Sequence, residues 1–156
     1  MTPAATAQDM EIEAAYAQLR APLLKLAYLL TYDRHEAFDV VQDAFAAATP
    51  RWASIDDPEA YLRRAVINRS FKAKRDRQRR RDRAHHVAAE RRHDVDDVDY
   101  LADAIGRLPK KERAIVVLRY YLELTTAEVA EHLDMPQGSV GPTLNRALRR
   151  LEGELS

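Results

Sequence analysis

The sequence predicts an all-α protein: two small helical domains joined by a flexible charged linker, the second ending in a helix-turn-helix. Three observations predict it. Apolar residues recur at helical spacing through most of the 156 residues, with no β-type alternation. Ala, Leu, Arg and Glu are abundant, and there are only four glycines. The periodicity then fails between residues 78 and 99, where a basic run meets an acidic one, as in a solvated tether. The expected boundaries are 10–77 for the first domain, 78–99 for the linker and 100–156 for the second.

Residues 1–9 are small and polar and read as a loose tail. A first helix is predicted from Met10 to Leu30, with Ile12, Tyr16, Leu19, Leu23, Leu26, Ala27 and Leu30 inward; Pro22 should kink or divide it. After a break at Thr31-Tyr32-Asp33, a second helix over 34–48 buries Phe38, Val41, Ala44, Phe45 and Ala48. Its Asp39, Gln42 and Asp43 lie on another face. The irregular stretch RWASIDDP precedes a third helix that starts at Pro58 with Asp57 as cap and carries Tyr61, Leu62, Ala65, Val66 and Phe71. It continues into KAKRDRQRRRDR.

In the second domain, Leu101, Ile105 and Leu108 mark a short helix ended by Pro109, and a longer one spans 110–122. Thr125 or Thr126 caps the next, with Glu128 placed as a capping box requires. Pro136 stops it, and Gly138 supplies a turn residue able to take positive φ. The last helix turns Val140, Leu144, Ala147, Leu148 and Leu151 inward, leaving Arg146, Arg149 and Arg150 away from that stripe. Helix, tight turn and arginine-flanked helix together form the helix-turn-helix pattern that lays a helix in the DNA major groove.

Net charge is zero, but its distribution is not even. Residues 1–50 sum to −4, residues 51–93 carry 14 basic and 6 acidic groups for +8, residues 94–104 sum to −5, and residues 105–156 to +1. Polyanions respond to local patches, so the middle block is the electrostatic footprint of a nucleic-acid binder. Arg63, Arg64, Asn68, Lys72 and Arg75 can share one helix flank near Trp52 and Tyr61, the mixture of cations, amide and aromatic faces that phosphates and unstacked bases need. The loop RWASIDDP could accept a flipped base; by composition alone it reads better as an ordinary loop with a core tryptophan.

Several chemistries are not expected. There are no cysteines, which excludes disulfides and thiolate zinc sites. His85, His86 and His93 with Asp94 and Asp96 could imitate a metal site, yet they fall in the tether, so neither metal nor cofactor is expected. No nucleophile–base pair, phosphate-cradling loop or HExxH suggests an enzyme. Without an apolar run of roughly 20 residues or a signal sequence, direct membrane insertion is not expected and a cytoplasmic protein is.

Two blocks carry a resemblance. LLKLAYLLTYDRHEAFDVVQDAF with RWASIDDPEAYLRRAVINRSFKAKRDRQRR resembles domain 2, and LADAIGRLPKKERAIVVLRYYLELTTAEVAEHLDMPQGSVGPTLNRALRRLEGEL resembles domain 4, of an extracytoplasmic-function sigma factor of bacterial RNA polymerase. The resemblance covers nearly the whole chain. It implies that Asp39, Gln42 and Asp43 hold the β′ clamp helices of core polymerase. Arg51, Trp52, Ser54, Asp56, Tyr61, Arg64 and Asn68 would open the −10 element and capture a base, with Lys72 and Arg75 on phosphates. The second domain would sit on the β flap and read the −35 element of promoter DNA through Ser139, Pro142, Thr143, Asn145, Arg146 and Arg149. An anti-sigma factor is a further implied partner.

The sequence departs from the family's pattern at two places. Phe38 stands where relatives commonly have an acidic residue, and Gly141-Pro142-Thr143 replaces a cationic helix tip. With Ser139 as cap, Pro142 would lie in the first turn and break no helical bond. Two rival readings are a stand-alone dimeric helix-turn-helix regulator and a degenerate homologue that only sequesters a regulator. An acidic Asp-x-x-Gln-Asp face has no task in the first.

Overall fold

The computed structural model describes residues 4–72 and 97–155, and all regular elements among them are helical. In order they are α1 (Ala7–Thr31), α2 (Arg34–Ala48), a 3-10 turn (Thr49–Ser54), α3 (Pro58–Lys72), α4 (Asp97–Gly106), α5 (Lys110–Val116), a π-helical turn (Val117–Tyr121), α6 (Thr126–Leu133) and α7 (Gln137–Leu155). Helices α1 to α3 pack as one bundle, and α4 to α7 form the second. The expected tether lies mostly outside the described residues. Its far boundary moves, because Val98 extends the Leu101, Ala102, Ile105 periodicity and the helix begins at Asp97 rather than near Tyr100.

Helix α1 starts earlier than expected. Thr6 Oγ1 accepts from the Asp9 N–H at 3.1 Å and Asp9 returns the bond to the Thr6 N–H at 3.0 Å, a capping box inside the supposed tail. Pro22 neither divides nor ends the helix. It lies on the exposed side, where the carbonyl of the equally exposed Gln18 loses only its helical donor and can turn to water. Tyr32 ends α1 in the left-handed conformation (φ 54°), and Asp33 caps α2 through the Glu36 N–H. Asp57 caps α3 through the Ala60 N–H at 3.1 Å, as its position before Pro58 predicts.

The chain after α5 does not continue as an ordinary helix to Leu122. The Leu122 N–H reaches back five residues to the Val117 carbonyl, a π-type turn. Thr125 and Glu128 form the capping box of α6. The following turn differs from expectation in the residue that bends it. Asp134, not Gly138, takes positive φ (51°), a conformation its short polar side chain tolerates. The next helix consequently begins at Gln137, directly after Pro136, and Gly138 sits inside it.

The two bundles share one core. Leu23, Leu26, Val41, Leu62 and Ile67 on one side meet Ile105, Leu108, Ile115 and Leu118 on the other in a continuous cluster. Arg113 is only 2% exposed and crosses between them, donating to the Leu30 carbonyl at 3.2 Å and to the Gly106 and Leu108 carbonyls at 2.8 and 3.2 Å. The Tyr32 ring lies flat on Gly106, and its hydroxyl is bonded to Asp103 at 2.7 Å. Lys110 donates to the Phe71 carbonyl and stacks on its ring, and Lys25 stands 5.4 Å over Tyr121. These contacts fix which surface of each bundle stays open.

Candidate nucleic-acid interface

On α3 the positions Tyr61, Arg64 and Asn68 fall three and four residues apart, so one side of the helix presents all three. With Ala65 and Arg69 they line a shallow cleft of about 240 Å³. Phenol, guanidinium and amide thus stand together: one stacking face, one cation and one group able both to donate and to accept. Arg63 is held back along the helix by Glu59 at 3.2 Å, whereas Arg64 leans across to Glu131 of α6 at 3.6 Å. Arg51, Ser54 and Asp56 lie exposed at the mouth of the preceding loop, where the Ser54 hydroxyl donates to the Arg51 carbonyl.

Trp52 does not join them. It is 6% exposed and packs in the core, as the composition of the loop suggests, so its ring does not stand beside Tyr61 as an aromatic face for a base. The Lys72 side chain and Arg75 lie outside the described residues.

A second cleft of about 430 Å³ opens beside the first, between α3 and the second bundle. Asn68 and Phe71 form one wall, and Lys110, Lys111, His132 and Asp134 lie opposite. Burial and the neighbouring Arg64 guanidinium hold His132 below the ordinary imidazole range. Sequence reasoning missed this group. Its members sit in three separate segments, and only the Lys110-Lys111 pair following Pro109 hints at it.

On α7 Pro142, Asn145, Arg146 and Arg149 are exposed, and so is Leu148, whose spacing predicts an inward position but which no neighbour covers fully. Thr143 faces inward at 5% exposure and cannot reach a groove. Its hydroxyl donates to the Ser139 carbonyl at 2.8 Å and accepts from Arg146 at 3.2 Å, so it orients the arginine instead. Ser139 is half-buried and is not the cap: its N–H donates to the Pro136 carbonyl within a helix already begun. Pro142 is therefore the sixth residue of α7, past the first turn, and deprives the Gly138 carbonyl of its donor. Gly138 is exposed, so that carbonyl can be hydrated and the helix continues. Arg150 is taken by the buried Glu112 of α5 at 3.1 Å, which ties the helix to its bundle.

The acidic face of α2 is assembled as expected. Asp39 and Asp43 are exposed, and Gln42 is half-buried with its amide N–H donated to the Tyr16 hydroxyl at 2.7 Å. The Gln42 bond, with a further one from Arg20, draws the Tyr16 phenol below its ordinary range. His85, His86 and His93 lie outside the described residues. Among the described residues no three potential ligands gather to hold a metal, and no helix is long and apolar enough to cross a membrane.

Two known families match successive parts of the chain. Residues 15–80 match the family described as sigma-70 region 2, and residues 99–151 match sigma-70 region 4. Similar curated proteins are RNA polymerase sigma-E factors. That of Streptomyces coelicolor is 36% identical over 140 residues, covering 85% of this chain and 79% of its own. That of Streptomyces antibioticus is 34% identical over 158 residues, covering 97% and 88%. Among solved structures, the sigma factor RpoE in complex with the anti-sigma factor NepR from Bartonella quintana matches with a TM-score of 0.69 at 18% identity, over 93% of this chain and 96% of that one. CnrH in complex with the cytosolic domain of CnrY matches with a TM-score of 0.62 at 24% identity, over 97% and 91%. At these identities the structural likeness is one of fold.

Proposed function

The chain belongs to the sigma-70 family, as an RNA polymerase sigma factor of the extracytoplasmic-function type, and from that premise we propose how its surfaces divide the work of initiation. Asp39, Gln42 and Asp43 on α2 bind the β′ clamp helices of core polymerase. The cleft of Tyr61, Arg64 and Asn68, together with the exposed loop residues Arg51, Ser54 and Asp56, traps a strand-separated base of the −10 element. A base turned out of the stack needs an aromatic or guanidinium face and edge hydrogen bonds, and this cleft has both. Lys72 and Arg75 follow on the same basic segment and serve phosphates. The helix-turn-helix sits on the β flap and reads the −35 element through Asn145, Arg146 and Arg149, with Pro142 available to a thymine methyl.

The protein contributes no bond-making chemistry of its own; it supplies position and binding to the polymerase. Its domain boundaries are residues 10–77 and 100–156, adjusted at the second start to Asp97. The relatives seen with anti-sigma factors support such an inhibitor as a partner here too. A cytoplasmic site of action follows from the polymerase partner. A stand-alone dimeric regulator is disfavoured, because residues 15–80 are occupied by sigma-70 region 2.

The observation that carries this reading is the convergence of Tyr61, Arg64 and Asn68 on one cleft of a domain whose α2 bears free carboxylates. Run-off transcription with purified core polymerase tests it. The wild-type chain should support initiation from its own promoters, and the Asp39→Lys, Asp43→Lys variant should lose core binding with its helicity intact. Initiation that survives the charge reversal would remove α2 from the polymerase interface.

A further inference from the structure

The α2 surface is organised from α1. The Tyr16 phenolic oxygen accepts from Gln42 Nε2 at 2.7 Å and from Arg20 Nε at 3.0 Å. Tyr16 is itself anchored below by an edge-on contact with the core residue Phe45, centroids 5.0 Å apart. The Arg20 guanidinium lies 5.8 Å from the Tyr16 ring and 5.9 Å from the ring of Phe38, within the range of a cation–π contact to both. Phe38 was expected to pack inward. It is instead 45% exposed, one helical turn before Gln42 and adjoining Asp39.

Each contact has a consequence for what the surface offers. Donating one Nε2 hydrogen to Tyr16 settles the orientation of the Gln42 amide, so its carbonyl oxygen is held ready to accept from a partner. The face then presents two carboxylates and a carbonyl, all acceptors, which suits a helix bearing basic side chains. At its edge, beside Gln42, stands an aromatic ring that the Arg20 guanidinium covers at 5.9 Å, so less freedom is lost when a partner covers it. An exposed aromatic ringed by polar groups is the composition of an interface anchor.

We propose that Phe38 is a polymerase-contacting anchor of this sigma factor, and that Tyr16 and Arg20 are positioning residues that hold Gln42 and Phe38 for it. The proposal rests on the assignment of α2 to the clamp helices. It gives the substitution of an acidic residue by Phe38 a physical meaning. An apolar contact replaces a charged one at that position, so binding there releases no ions and does not weaken with salt as a charge pair does.

Equilibrium binding of the full chain to core polymerase, measured at several salt concentrations, tests it. Phe38→Ala should weaken binding roughly tenfold or more, as loss of an anchor does, with the salt dependence unchanged; Phe38→Glu should steepen the salt dependence. Tyr16→Phe, which removes only a hydroxyl, should weaken binding several-fold, and in combination with Gln42→Ala should add nothing to the loss from Gln42→Ala alone. A general structural role for Tyr16 would give additive losses and would overturn its part. Wild-type affinity in Phe38→Ala would overturn the anchor. The Asp39→Lys, Asp43→Lys variant separates the two levels: if it too binds normally, the assignment of α2 fails, whereas its loss of binding beside an unaffected Phe38→Ala rejects this proposal alone.

Discussion

At the scale of single residues, the side chains that decide most are polar ones in apolar surroundings. Arg113 has almost no exposure, yet its guanidinium gives three carbonyl groups their donors, one of them in the other bundle. Leaving such carbonyls unpaired costs about 1–3 kcal/mol apiece, so this one residue sets the relation of α1, α4 and α5. His132 works in the opposite sense. Burial and Arg64 favour its neutral form, so the folded chain holds a proton there less readily than the unfolded chain does. The contribution is present above the ordinary histidine value of about 6.5 and is lost as pH falls below it, since protonation then favours the unfolded or opened form. Glu131 and Glu128 soften the effect and Arg63 adds to it. The thermal midpoint should drop between pH 7 and pH 5, and more shallowly in His132→Gln. Parallel pH profiles would show that His132 is not the responsible group.

At the scale of elements, α7 is the unusual one. Gly138, Gly141 and Pro142 leave the exposed tip of the recognition helix without a cation, and a Cβ at Gly141 would meet nothing within 4 Å. Neither glycine takes positive φ, so the backbone does not require them. Gly141→Arg should therefore be tolerated, and removing glycine from a helix gains about 0.5–1 kcal/mol. The new guanidinium should strengthen binding of a −35 duplex by the polymerase-bound chain. If it meets one phosphate, the slope of log affinity against log salt steepens by about 0.9. An unchanged slope would mean that this end of α7 does not face DNA. Arg146 is steadied by Thr143, and Arg146→Ala should cost about 1–3 kcal/mol of promoter affinity if it makes the proposed bidentate base contact.

At the scale of the whole molecule, the −10 and −35 contacts proposed for the two bundles predict that the bundles part on promoter DNA. The −10 and −35 elements lie about 25 base pairs apart by position, or roughly 85 Å at 3.4 Å per pair. A compact chain of this length has a radius of gyration near 15 Å. The bundles must part, and the 24 residues from 73 to 96 can span at most about 80 Å. Parting would also separate Arg64 from Glu131. One close point of the closed form is Gly106, where a Cβ would collide with the Tyr32 ring. Gly106→Val should loosen the pair of bundles, raising the radius of gyration in solution scattering while helicity stays constant. A radius identical to wild type would argue against this closed form in solution.

The sequence by itself determined the helical class, α2, the caps at Asp57 and Thr125, the break at Tyr32 and the two-domain family. These depend on neighbours within a few residues, where apolar spacing and capping chemistry act. It also brought Tyr61, Arg64 and Asn68 together, since their helical spacing alone places them on one side. Tertiary structure decided what depends on contacts far along the chain: that Thr143 turns inward while Phe38 turns out, that Asp134 rather than Gly138 bends the helix-turn-helix and so shifts Pro142 past the first turn, and that Arg113 bridges the bundles across 83 residues. The reason is physical. Local pattern fixes which faces of a helix are apolar, but which of them is covered depends on what arrives from elsewhere to pack against it.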